Sequence, residues 1–354
     1  MNEVRVIGCI LGTAVGDAIG LPYEGLSRRR ARRMLGVLDR HRFVFGRGMV
    51  SDDTEHTCLV AQSLVSARDD VGTFQRSLAR GLRWWLLGLP AGIGLATLRS
   101  TIRLWLGVAP ERSGVFSAGN GPAMRAAILG VSVADPDLLR RLVRASSRIT
   151  HTDPKAEWGA FAVAVAARMA AETESVSAND YLARISALAD EGATELVGLI
   201  SDAVTSVNAG QTTASFADSI GLSRGVSGYI NHTVPVAIHA WLSFPRDYRS
   251  AIIAIIECGG DTDSTAAIVG GIVGAAVGRS GIPPEWLRGL LEWPRTVSWM
   301  ERLGRQVALS SSSIASGGPI QRPIRLPRIP LVARNLFFMV IVLVHGFRRL
   351  LPPY

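Results

Sequence analysis

From end to end the chain repeats one pattern. Apolar side chains recur at intervals of three and four residues in stretches such as DTEHTCLVAQSLV, FQRSLARGLRWWLLG, PDLLRRLVRASSRI, PKAEWGAFAVAVAARMAAE and PPEWLRGLLEWP. That interval lays one apolar stripe along an α-helix, whereas strand side chains change face at every residue. Several stretches open on a cap or first-turn proline: Asp135 with Pro136, Asp153 with Pro154, and Pro283 with Pro284. Strand-like alternation between hairpin turns is scarce, and no repeat period stands out. An all-α architecture of many short helices is expected.

Composition agrees with a folded body. Apolar residues make up 48% of the 354 positions and charged residues 19%, which excludes a disordered chain. Cys9, Cys58 and Cys258 are odd in number, widely spaced and set in apolar sequence, so buried free thiols in a reducing, cytoplasmic compartment are expected. The N-terminal VRVIGCILGTAVGDAIG lacks a strongly basic leader, and Asp17 interrupts its apolar run; it reads as a core helix and not as a cleavable signal.

The formal charge of +9 is unevenly placed. Residues 310–354 hold six arginines and no acid, and a second cluster comprises Arg28, Arg29, Arg30, Arg32 and Arg33. That cluster reads either as a solvated helix face or as a contact for an anionic ligand or surface. Without interleaved aromatics or zinc-finger spacing, a nucleic-acid partner is not expected.

The expected division places a globular domain over 1–309, a Ser/Gly/Pro/Arg linker over 310–330 and an apolar tail helix over 331–354. The uninterrupted apolar core of the tail, Leu336 to Val344, falls far short of the roughly 20 residues that cross a bilayer. Three placements stay open: a helix lying in a membrane interface beside its arginines, docking on its own body or another subunit, and, least favoured, a spanning anchor.

The stretch ECGGDTDSTAAIVGG at 257–271 sets two carboxylates against a run of small residues. In a regular helix residues two apart point to opposite faces, so Asp261 and Asp263 could not converge from mid-helix. Gly259 and Gly260 free the backbone just before them, which places the pair at a loop-to-helix junction. Ser51, Asp52 and Asp53 also sit at a helix start, and Asp17 and Glu24 lie in GDAIGLPYEG. Taken singly such residues are ordinary helix caps. Together Glu24, Ser51, Asp52, Asp53, Asp261, Asp263 and Ser264 form a set of hard oxygen donors that suits two Mg²⁺ or Mn²⁺ ions.

The ordered motifs GxxxGDAxGxPxE (Gly12 to Glu24), SDDT, AGNGPAMR (118–125), THTDP (150–154) and GGDTDS (259–264) make the chain resemble the ADP-ribosylglycohydrolase family over about residues 4–308. The resemblance implies an all-α fold with a dinuclear metal centre, and cleavage of the bond between C1 of ADP-ribose and a protein side chain, arginine linkage favoured. It implies Ser51, Asp52, Asp53, Asp261, Asp263 and Ser264 as metal ligands and Glu24 as a carboxylate that gates or assists. It implies Ser117, Gly119, Asn120 and Gly121 as the loop that cradles ADP-ribose, and His151 as a residue lining the cleft. Asp53 or Glu24 is the expected proton acceptor for the attacking water. A glycine turn followed by the helix-like PAMRAAILG would offer backbone N–H groups to a diphosphate.

The departures are Ser51 and Ser264, where many relatives carry threonine, and Ala118, where some place an aromatic against adenine. His56, His232 and His239 read as core or surface residues. Two other readings stand beside the first: a hydrolase of a small ADP-ribose derivative, and a non-catalytic binding or structural relative. The partner expected is an ADP-ribosylated protein or such a derivative, with peripheral membrane contact through the tail.

Overall fold

The computed structural model describes residues 2–67, 69–315 and 321–351. Among these, seventeen α-helices follow one another and the only extended pairing is a few isolated bridges. The first eight are α1 (Glu3–Gly20), α2 (Arg28–Leu35), α3 (Asp52–Ala67), α4 (Val71–Leu86), α5 (Leu95–Trp105), α6 (Ala127–Ser132), α7 (Pro136–Arg148) and α8 (Pro154–Glu172). The remainder are α9 (Ala178–Leu188), α10 (Thr194–Asn208), α11 (Thr213–Ser219), α12 (Ile230–Ser243), α13 (Tyr248–Ile256), α14 (Thr262–Val277), α15 (Pro284–Gly289), α16 (Val297–Ala315) and α17 (Arg328–Arg348). The all-α expectation is met.

The anticipated caps form. Asp135 accepts from the Leu138 amide at 2.6 Å and Asp153 from the Lys155 amide at 2.9 Å, each satisfying a helix-start N–H that has no intrahelical partner. Two stretches are less helical than their periodicity suggests. PPEWLRGLLEWP stops at Gly289, because Leu290 pairs with Gly48. PAMRAAILG begins as a 3₁₀ turn at Ala123–Arg125 and becomes α-helical only from Ala127.

At the centre α1 and α14 run antiparallel with their backbones almost touching. Gly8, Gly12, Gly16 and Gly20 lie four apart on α1 and face Gly274, Gly270, Ala266 and Thr262 of α14. A Cβ on Gly12 would sit 2.1 Å from the Gly270 carbonyl oxygen, and one on Gly16 equally close to that of Ala266. Only glycine permits this approach. The Thr262 hydroxyl donates to the Gly20 carbonyl at 2.9 Å and closes the pair at its functional end. Helices α3, α6, α8, α12, α13 and α16 enclose it in a continuous apolar core, in which each buried Leu, Ile or Phe contributes about 1.5–3 kcal/mol. Cys9, Cys58 and Cys258 are free thiols inside it.

Among the described residues two helices are long and apolar enough to cross a membrane by length and composition, α1 with its extension to Tyr23 and α17. The first is 89% buried in the protein, as a core helix is. The second lies on the body. Arg334, Asn335 and Phe338 are buried, and Phe338 joins Leu21, Phe43, Val44 and Met49 in a small apolar cluster. Helix α16 continues to Ala315, six residues past Leu309, and α17 starts at Arg328. The 316–320 part of the linker lies outside the described residues.

Candidate active site

Two helix N-termini open on one cleft. α3 carries Asp52 and Asp53 in its first turn, and α14 has Asp261 just before its start and Asp263 inside it. The glycine pair before Asp261 is dictated by its neighbours: Gly259 and Gly260 have φ of +71° and +85°, and a Cβ on Gly260 would lie 2.0 Å from the Val226 carbonyl oxygen. This close passage lets the Asp261 amide donate to Val226 at 2.7 Å and the Val226 amide to Gly259 at 3.0 Å. The carboxylate is fixed as well. Asn120 donates its side-chain amide to Asp261 Oδ2 at 2.7 Å and to the Thr233 hydroxyl at 3.1 Å.

The start of α3 is held from another helix. Asp17, fully buried on α1, accepts from the Ser51 amide at 3.0 and 2.9 Å, from the Thr54 amide at 3.2 Å and from the Thr54 hydroxyl at 2.5 Å. Asp53 points inward. Its Oδ2 accepts from the hydroxyls of Ser51 at 2.8 Å and Ser264 at 3.3 Å. Asp53 Oδ1 and Asp263 Oδ1 are buried and have no hydrogen-bond partner.

The cleft encloses about 700 Å³. Glu24, Asp52, Asp261, Asp263 and Ser264 line it, as do Ser117, Gly119, Asn120, Gly121 and His151. Ser51 and Asp53 sit just beneath its floor. All twelve residues singled out in the sequence therefore gather in one place, with Glu24 exposed at the mouth.

The electrostatics are those of an acid cluster whose own charges outweigh the two arginines that act on it, Arg125 beside Asp52 and Arg349 beside Glu24. Burial pushes Asp52 and Asp53 well above the usual carboxylate range, and the neighbouring Asp17 charge adds to both shifts. Burial does the same to Asp263, with Glu24 and Asp261 adding to it. Glu24, exposed at its outer side but with its carboxyl partly desolvated by the cleft walls, is raised by that desolvation and by Asp261, against a lowering from Arg349. Asp17 is pushed up to about 7 by burial, restrained by its hydrogen bonds from Thr54 and Ser51.

The donor chemistry fits a divalent cation of the Mg²⁺ or Mn²⁺ type: all oxygen, several carboxylates, two hydroxyls and two orphaned buried oxygens. Among the described residues no group of three His, Cys, Asp or Glu side chains is gathered closely enough to hold an ion by itself. The Ser51 and Ser264 hydroxyls would complete the set.

The glycine loop has a different reason for its glycines than the one the sequence suggests. The His151 imidazole is wedged against it, and a Cβ would lie 3.0 Å from His151 Nε2 at Gly119 and 2.9 Å from Cε1 at Gly121. The Gly119 amide is bonded to the Ser117 hydroxyl and the Asn120 amide to the Gly228 carbonyl, so these two N–H groups are not free for a diphosphate. His151 is pushed down to about 3 by burial and by Arg125. Arg125, fully buried, donates to the Thr150 hydroxyl at 2.7 Å, which bonds His151 Nδ1 at 2.9 Å. It also reaches His56 Nδ1 at 3.2 Å.

Sequence reasoning did not assign Asp17 or Arg125 a place in the site, nor the walls built from 92–97 and 224–228. Asp17 left a signal, an acid interrupting the apolar run that follows Arg5; the wall loops left only glycine-rich runs, GLPAGIG and SRGVSG.

A family model described as ADP-ribosylglycohydrolase matches residues 2–315. The chain is 33% identical to an uncharacterized protein of Archaeoglobus fulgidus, over 81% of its own length and 92% of that protein. It is 28% identical to the ADP-ribosylarginine hydrolase Tri1 of Pseudomonas putida, over 80% of its own length and 73% of that protein. A solved structure titled ADP-ribosylglycohydrolase-related protein complex superposes with a TM-score of 0.59 at 25% identity, covering 87% of this chain and 98% of the other. Fold, motif order and family match agree: the chain belongs to the ADP-ribosylglycohydrolase family.

Proposed function

We propose that the protein removes ADP-ribose from modified protein side chains, arginine linkages first, by metal-dependent hydrolysis of the bond at ribose C1. The observation that carries this reading is the pair of orphaned buried oxygens, Asp53 Oδ1 and Asp263 Oδ1, under a cleft of about 700 Å³ edged by further acids. An unpaired buried acid is costly unless a proton or a cation accompanies it. The arginine preference is supported by the name of the Pseudomonas relative.

Ser51, Asp52, Asp53, Asp261, Asp263 and Ser264 would hold two Mg²⁺ or Mn²⁺ ions. Bound there, the ions supply Lewis acidity and lower the pKa of a bound water. The remaining work falls to this chain's own groups. A glycosidic bond at C1 breaks through an oxocarbenium-like state, and the surrounding carboxylates favour that developing positive charge. Asn120 keeps Asp261 turned into the cleft. Glu24, which lines the cleft and is raised in pKa, would take up a proton from attacking water, with the buried Asp53 the other candidate.

The linkage is tested by following release of free ADP-ribose from arginine-linked and serine-linked ADP-ribosylated proteins in parallel. Faster release from the arginine linkage is expected. Equal or faster release from serine would overturn the preference, and release from neither would overturn the protein-substrate reading.

A further inference from the structure

We propose that α17 and the neighbouring arginines form a docking face for an anionic lipid bilayer, on which the protein lies without crossing it. The helix has two faces with different partners. Its inner face is committed to the body: Arg334 donates to the Val50 carbonyl at 2.5 Å and pairs with Glu292, Asn335 donates to the Gly88 carbonyl at 2.7 Å, and Phe338 packs on Phe43. Its outer face carries Leu336, Val340, Leu343 and Phe347, continued by Leu350 in the turn just after the helix, all between 48% and 68% exposed. The four helical positions fall four, three and four residues apart, so they form one stripe along a helix of 21 residues.

The charge around the stripe is mostly positive, with Glu24 facing Arg349 and Asp39 as the acids beside it. No acid follows Glu301 in the chain, and the end of α17 carries Arg348 and Arg349. Those two reach α2 and the segment before it: Arg348 donates toward the Met34 carbonyl at 3.5 Å and Arg349 toward the Pro22 carbonyl at 3.4 Å. α2 adds the exposed Arg29 and Arg32 to the same region. Beside it, the turn that follows Phe43 leaves Phe45 99% exposed, while Phe43 itself stacks beneath His345 of α17. Asp39, in the same loop, is paired with Arg42 at 2.8 Å.

An apolar stripe edged by arginines is complementary to a surface that offers acyl chains below and negative headgroups above. A spanning arrangement would pull the buried Arg334 and Asn335 away from Glu292 and Gly88 into hydrocarbon, which the inner-face contacts oppose. The proposal rests on no reading of the cleft. Arg349 bonds two residues before Glu24, so the bilayer would lie beside the cleft mouth.

The test is cosedimentation of the full chain with vesicles of phosphatidylcholine alone and with one-third phosphatidylserine, at low and high salt. Binding to the anionic vesicles only, weakened by salt, is expected. Leu343→Glu with Phe347→Glu should abolish it, and Arg348→Gln with Arg349→Gln should weaken it on the order of tenfold, both variants keeping the wild-type melting temperature. No binding, binding indifferent to lipid charge, or binding unaffected by the Leu343/Phe347 variant overturns the proposal. So does resistance to alkaline extraction, which would mean a spanning helix. A dimer in light scattering that the Leu343/Phe347 variant breaks, without vesicle binding, would instead make the face a contact between two copies of the chain.

Discussion

The carboxylate of Asp17 on α1 holds the hydroxyl of Thr54 on α3 at 2.5 Å, while the same group accepts the Thr54 and Ser51 amides. One buried acid thus caps a helix whose start is more than thirty residues away in sequence. It also sets where Ser51, Asp52 and Asp53 stand. Replacing Asp17 by Ala should cost about 1–3 kcal/mol, because the buried N–H groups of Ser51 and Thr54 lose their acceptor. Asp17→Asn, which keeps one acceptor oxygen, should cost less. Chemical denaturation of the three proteins measures the order, and an unchanged Asp17→Ala midpoint would contradict the capping role.

Tail docking is tested at Arg334. Glu55 is buried and held below the usual carboxylate range: burial works against this, but Arg295 and Arg334 and the Trp85 N–H outweigh it. Arg334 also pairs with buried Glu292. Arg334→Ala should therefore destabilise the protein by about 3–5 kcal/mol, the scale of an orphaned buried charge. Adding Glu292→Leu should recover part of that loss. Additive losses in the double variant would show that the two side chains do not act as a pair.

The α1–α14 contact predicts a contrast between glycines. Gly12→Ala drives a methyl to within 2.1 Å of the Gly270 carbonyl oxygen and should cost on the order of 3 kcal/mol as the helices are forced apart. Gly346→Ala, on the exposed side of α17 with nothing within 4 Å, should be neutral or stabilise by up to about 1 kcal/mol. Thermal melts of the two variants give the comparison.

Stability should fall in mild acid through histidines buried in the neutral form. His239, stacked on Phe216 and bonded to Ser206 and Thr213, is pushed down to about 4 by burial. Its folded pKa lies below the unfolded value of roughly 6.5. Between those limits the unfolded state binds the proton and the folded state does not, so this contribution is complete above pH 6.5 and is lost as pH falls toward 4, at about 1.4 kcal/mol per pH unit. Asp17, raised to about 7, acts in the opposite direction over an overlapping range. Subtracting the stability curve of His239→Gln from that of the wild type isolates the histidine; a flat difference would contradict the assignment.

Local features were legible in the sequence. The three- and four-residue apolar spacing marks α3, α4, α7 and α8, and Gly259–Gly260 before Asp261 marks a loop-to-helix junction because the chemistry at that point is local. What joins distant segments was not legible. The run of small residues after Asp263 was visible, but its pairing with Gly8, Gly12, Gly16 and Gly20 of α1 is made by the whole core. Arg334 reads as a charge interrupting an apolar run, and only the fold reveals Glu292 and Glu55 waiting for it. Gly119 and Gly121 suggested an anion cradle, whereas the adjacent His151 ring is what excludes a side chain there.

In the proposed function the acid cluster acts through divalent cations on an ADP-ribosyl bond. The most direct test strips the protein with EDTA and follows ADP-ribose release from arginine-linked substrate before and after adding back Mg²⁺ or Mn²⁺, with Asp261→Ala alongside. No release is expected when stripped, recovery on adding the metal, and none in the variant under any condition. Undiminished release in EDTA, or full turnover by Asp261→Ala, would contradict it.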